Sequence, residues 1–82
     1  MRISLDISLY PLTPEYKSPI LGFIRALRSY DSLEVRSNPL STQVHGEFSE
    51  VWEALGTELQ KTFEDEHTSV AVMKAVSVDV TE

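Results

Sequence analysis

Two short stretches hold the residues best suited to chemistry. Ser4, Asp6, Ser8 and Tyr10 recur at every second position near the start of the chain, and Ser41, Gln43 and His45 do so near its middle. A period of two gathers each set on one face of a β-strand. Ser, His and Asp are also the residue types of a hydrolytic triad. An esterase-like site would use Ser8 or Ser41 with His45 and Asp6 as cross-strand neighbours. Such a site needs a defined chain of hydroxyl, imidazole and carboxylate beside an oxyanion hole. No nucleophile elbow is present, and a flat sheet face excludes water poorly. The expectation is therefore a protein with no catalytic residues.

Other chemistries find less support. His45 and His67 have no partner at helical spacing, and the chain has no cysteine, so no metal site is expected. Three glycines form no phosphate-binding loop. The carboxylates Glu47, Glu50 and Glu53 sit where a helix begins, and the helix dipole is sufficient reason for them. With 13 acidic and 7 basic residues the net charge is -6, which repels phosphate backbones. RNA recognition would also want several aromatics on the central strands, and Tyr10 stands there alone. No apolar run approaches the ~20 residues of a membrane span, and Met1 to Tyr10 lacks the apolar core of a signal peptide. The expectations are no cofactor, no nucleic acid, no membrane and a cytoplasmic location.

The elements that position these side chains are legible from patterning. The 82 residues suffice for one domain spanning 1-82. Ile3, Leu5, Ile7 and Leu9 alternate with the first polar set, giving a half-buried strand closed by Pro11. A helix starts between Glu15 and Pro19, because proline is tolerated only in a first turn. Ile20, Ile24 and Leu27 form its core stripe, flanked by Tyr16, Phe23 and Tyr30, with Gly22 expected at a close helix–sheet contact. Leu33 to Arg36 is a short strand, and Ser37-Asn38-Pro39 turns into a second strand over about Leu40 to Glu47. Phe48, Trp52, Leu55, Leu59 and Phe63, with Val51 beside them, then take helical spacing, and Trp52 reads as core. Glu64-Asp65-Glu66 reads as a solvated helix end or a loop. Thr68 to Val80 reads as a β-rich segment whose second face is partly covered, with Lys74 reaching the sheet edge or pairing with an acid such as Asp6.

The order β-α-β-β-α-β has a simple unknotted solution, the α+β ferredoxin-like split βαβ sandwich with a four-stranded antiparallel sheet and both helices on one face. Its first and third strands are central neighbours. The helix-covered face would take Ile3, Leu5, Ile7, Leu9, Leu40 and Val44. The open face would take Ser4, Asp6, Ser8, Tyr10, Ser41, Gln43 and His45. Such a face suits a small-molecule site or a two-fold interface between copies, with Tyr10, Met73 and the valines of the last strand as apolar anchors.

Ile7-Ser8-Leu9-Tyr10-Pro11, the block Ser41-Thr42-Gln43-Val44-His45-Gly46-Glu47-Phe48 and the following Glu50-Val51-Trp52 and Leu55 resemble the YkoF-like thiamin-binding proteins. In that family a strand reading small-Thr-x-Val-x-Gly leads straight into the second helix. The resemblance implies a ferredoxin-like homodimer or homotetramer, joined through the open sheet face, that binds thiamin or its hydroxymethylpyrimidine part without catalysis. Matched by position, Ser8, Ser41, Thr42 and Gln43 are the expected ligand contacts. Tyr10 is placed to stack on a ring, and His45 completes the expected set. Thr42 alternates with the core-facing residues, so it marks a ligand entering between sheet and helices, or it is a buried strand threonine. The alternative function is an oligomeric structural or regulatory module whose open face is filled by protein.

Overall fold

The structure, a computed structural model, describes residues 1–81. The elements run β1 (Arg2–Pro11), α1 (Lys17–Arg28), β2 (Glu34–Ser37), β3 (Thr42–Glu47), α2 (Phe48–Phe63) and β4 (Ser69–Val76). The sheet is antiparallel throughout, in the order β2-β3-β1-β4. This is the ferredoxin-like arrangement expected from the sequence. Ile3, Leu5, Ile7, Leu9 and Val44 enter the core against Phe23, Leu27, Val51, Ala54 and Leu55. Burying apolar side chains such as these stabilises by roughly 1.5–3 kcal/mol each.

Register decides which polar groups meet. Asp6 faces Gln43 on β3 and Lys74 on β4, while Ser4 faces His45 and Val76. β1 outruns β3. Their pairing ends at Ile7 opposite Thr42, yet β1 continues to Pro11, still paired with β4. A gap therefore opens beside the last residues of β1.

Several expectations require correction. Leu40 is not in the core but 86% exposed. Asn38 takes the chain into an Asx turn, its Oδ1 accepting from the amides of Leu40 and Ser41, so β3 begins only at Thr42. Trp52 is 37% exposed and packs edge-on against Phe48, with ring centroids 6.1 Å apart. The buried stripe of α2 is Val51, Ala54, Leu55 and Glu58. Glu58 is accepted there because the Tyr30 hydroxyl donates to it at 2.7 Å and Lys61 approaches to 3.6 Å. Phe23 belongs to the core rather than to a flank, and nothing lies within 4 Å of where a Cβ on Gly22 would be. The glycine with a close contact is Gly46, where an added Cβ would sit 2.9 Å from Leu33. The β-rich C-terminal run ends as a strand at Val76, and residues 77–81 turn back over the sheet.

Candidate functional site

The gap beside β1 is a cleft of about 380 Å³. Its walls are the end of β1, the first half of α1 and the turn before β3. Ile7, Leu9, Phe23 and Ile24 supply an apolar floor, Tyr10 and Tyr16 stand at the mouth, and Ser8, Asn38, Ser41 and Thr42 bring polar groups. The turn is held from both sides. Asn38 donates from its amide side chain to Ser41 Oγ at 3.3 Å, and the Ser8 hydroxyl donates to the Leu40 carbonyl at 3.2 Å. Thr42 is 5% exposed, yet its hydroxyl has no hydrogen-bond partner among the described residues. From Ser8 to Pro11 the edge of β1 that faces β3 also lacks a ladder partner, so main-chain groups line the cleft as well. An apolar pocket with a few converging polar groups suits a flat heteroaromatic ring.

Four of the six expected ligand residues meet here: Ser8, Tyr10, Ser41 and Thr42. Gln43 and His45 do not. They lie beside Asp6 and Ser4, further back along β1, around a smaller cavity of about 180 Å³. His45 was placed on an open face, but it is 1% exposed because residues 77–81 form a strap across it. The strap is tied at several points. The Val80 amide donates to Ser4 Oγ at 2.8 Å, and Arg2 donates from Nε and Nη2 to Asp79 Oδ2 at 2.9 and 2.8 Å. Thr81 donates to Asp79 Oδ1 from its amide and its hydroxyl. These Thr81 bonds, with the Arg2 guanidinium behind them, hold the Asp79 carboxyl down at about 2.

The polarity of this cluster is fixed by its ends. A main-chain amide can only donate and a side-chain carbonyl can only accept. Ser4 Oγ therefore accepts from Val80 and, against a neutral imidazole, donates to His45 Nδ1 at 2.7 Å. His45 then donates from Nε2 to Gln43 Oε1 at 3.2 Å. The amide nitrogen of Gln43 is left as the free end of the chain.

Serine, histidine and aspartate thus do come together, but not as expected from sequence. Ser8 and Ser41 stand at the cleft, and the serine against His45 is Ser4. The carboxylate near the ring is Asp79, 3.8 Å from Nδ1, rather than Asp6. Ser4 and Asp79 both address the same ring nitrogen, whereas proton relay needs them on opposite ones. Ser4 and Asp79 escaped the sequence reading of the site because their contacts join the two ends of the chain.

The sequence matches no family model and no curated protein. Solved structures resemble it in fold. Protein SP2199 from Streptococcus pneumoniae superposes with a TM-score of 0.87 at 20% identity, over 99% of this chain and 91% of that one. A Thermotoga maritima protein provisionally assigned to thiamine biosynthesis or salvage gives 0.83 at 16% identity, over 95% and 85%. A domain of unknown function from Bacillus cereus gives 0.76 at 12%, over 96% and 78%.

Proposed function

We propose that the protein binds thiamin or its hydroxymethylpyrimidine moiety in the cleft beside β1, without chemical change to the ligand. The observation that carries this reading is an apolar cleft of about 380 Å³ with Tyr10 and Tyr16 at its mouth and the side chains of Ser8, Ser41 and Thr42 around it. An aminopyrimidine offers both donors and acceptors, which suits a hydroxyl and the free edge of a strand. The ring lies on the apolar floor with Tyr10 and Tyr16 at the mouth. The thiazolium of thiamin is cationic, and a net charge of -6 attracts it. The Thermotoga maritima neighbour lends the ligand class its support at the level of fold.

The protein acts as a homodimer or homotetramer in this reading. Tyr10, Val70, Val72 and Val76 are exposed on one face of the sheet, which gives a second copy apolar surface to cover. Calorimetric titration with thiamin and with hydroxymethylpyrimidine, alongside light scattering for mass, tests both parts. Saturable binding near one ligand per chain is expected, weakened by Thr42→Val. A folded oligomer that takes up neither compound would leave the sheet face as an interaction module and remove the ligand.

A further inference from the structure

We infer, on the basis of that reading of the cleft, that the ligand is a phosphate ester of thiamin, with its rings in the cleft and its phosphate between Lys17 and Arg25. Successive residues of a helix stand about 100° apart. The rows Tyr16, Ile20, Ile24 and Lys17, Leu21, Arg25 therefore run side by side along α1. The first row lines the cleft. The second lines a hollow of about 620 Å³, together with Pro14, Glu15 and Ser18. Tyr16 is common to both. A ligand held by its rings in the cleft extends its tail past Tyr16 into the hollow. This hollow lies on the helix side of the molecule, away from the sheet face that a second copy covers.

Charge selects the tail. The chain holds 13 acidic and 7 basic residues, yet α1 contains Lys17, Arg25 and Arg28 and no acid. Arg28 is engaged, donating to Ser37 Oγ at 3.0 Å. Lys17 and Arg25 are exposed and make no ion pair or hydrogen bond among the described residues. So acidic a chain offers many partners for a cation, and these two are left free on the face next to the cleft. Their Cα atoms stand about 12 Å apart along the helix axis, which brings one phosphate within reach of both long side chains. Lysine binds phosphate as a point charge, and arginine adds a two-pronged hydrogen bond. Leu21 lies between them and is 56% exposed. Glu15 is the opposing charge in the hollow, and it pairs with neither cation. The net charge of -6 repels a phosphate as it attracts the thiazolium, so binding of an ester depends on these local cations.

Calorimetric titration with thiamin, thiamin monophosphate and inorganic phosphate separates the rings from the anion. Thiamin monophosphate should bind about tenfold more tightly than thiamin, through charge-assisted hydrogen bonds. Inorganic phosphate should bind roughly a hundredfold more weakly than the ester, because only the tethered group reaches the hollow at high effective concentration. The ratio of the ester's affinity to that of thiamin is the readout in the variants. Lys17→Met combined with Arg25→Met should bring that ratio to within about twofold of unity. Glu15→Gln should raise it about threefold, since a like charge is removed. Lys61→Met takes the same charge from α2 and should leave the ratio unchanged. Thiamin binding with no preference for the ester overturns the phosphate contact and leaves the cleft reading standing. Uptake of neither compound removes both. Inorganic phosphate binding as tightly as the ester makes the hollow a free-anion site and overturns the link to the cleft. An equal loss of preference in Lys61→Met reduces the effect to net charge and also overturns it.

Discussion

β1 carries polar side chains at both of its ends, and the two ends treat them differently. Near its start, Ser4 is buried in a closed set of bonds with His45, Val80 and, through the strap, Arg2 and Asp79. Near its finish, Ser8 and Tyr10 stand at an open cleft that the Thr42 side chain also lines. Ser, His and Asp at the first end suggest catalysis by type, yet they hold a chain terminus in place. At the second end Ser8 and Ser41 hold the turn before β3, and the Thr42 hydroxyl and the Tyr10 ring are left available. Polar residues whose bonds are complete contribute to stability, and those whose bonds are incomplete can still take a partner.

The comparison breaks most visibly at His45. His45→Ala removes a ring that is 1% exposed and leaves the Ser4 hydroxyl without an acceptor for its hydrogen. A loss of about 3 kcal/mol in unfolding free energy is expected, from the cavity and the orphaned polar group together. Urea denaturation measures it. Affinity for hydroxymethylpyrimidine, read on the folded fraction, should not change, because His45 stands opposite Ser4 and does not line the cleft. A parallel loss of affinity would place the pyrimidine on the strap side of the sheet.

How much of this was legible depended on distance along the chain. The alternation of Ile3 to Tyr10 set both faces of β1 correctly, because a half-buried strand imposes a period of two on its own sequence. Leu40 misled because its alternation with Thr42 and Val44 continues through a turn that Asn38 closes by side-chain bonds, which hydrophobic periodicity does not register. Trp52 misled because Ala54 and Glu58 carry little hydrophobic weight, so the true buried stripe of α2 was outweighed by larger residues beside it. The valines at 76, 78 and 80 likewise extended β4 past its end. The strap was invisible because Arg2 and Asp79 stand 77 residues apart. The cleft could have been suspected from one signal, a threonine on the core-facing side of a strand next to a proline-bounded turn.

The second prediction concerns the open end. Tyr10→Ala removes the ring at the mouth of the cleft, where it is 52% exposed. An aromatic stack is worth roughly 1–3 kcal/mol, so affinity for thiamin should fall about tenfold or more. Tyr10→Phe should restore most of it, since the ring rather than the hydroxyl is responsible. Stability should move little in either variant. Loss of oligomeric mass in Tyr10→Ala, with thiamin affinity intact, would instead assign Tyr10 to the interface.

The third returns to the strap and uses pH. The Asp79 carboxyl titrates at about 2, against a usual value of 3.8, because Thr81 and Arg2 bind its charged form. A folded-state value depressed below the unfolded one contributes stability that is complete above 3.8 and is lost as the pH falls from there through about 2. Asp79→Asn should therefore lower the melting temperature by several degrees at pH 7. The difference from the unaltered protein should shrink as the pH falls below 3.8 and vanish near 2. Thermal melts across that range measure it, and a difference independent of pH would show that the strap is held by packing alone.

The smallest expected effect is the most discriminating, because at Thr42 a structural and a ligand-binding role for a hydroxyl predict different outcomes. Thr42→Val keeps the shape and the β-branch and replaces only the hydroxyl. If that hydroxyl serves the fold, its loss should destabilise, as it would for a bonded group. The described residues offer it no partner, so exchange for a methyl group should leave stability unchanged or raise it slightly. Affinity for hydroxymethylpyrimidine should nonetheless fall about three- to tenfold, the worth of a single hydrogen bond of roughly 0.5–1.5 kcal/mol. A variant that is at least as stable and binds less well marks a group retained at some cost to the fold for what it holds. A variant that binds as well as the parent makes Thr42 an ordinary strand threonine and moves the ligand's polar contacts to Ser8, Ser41 and the bare edge of β1.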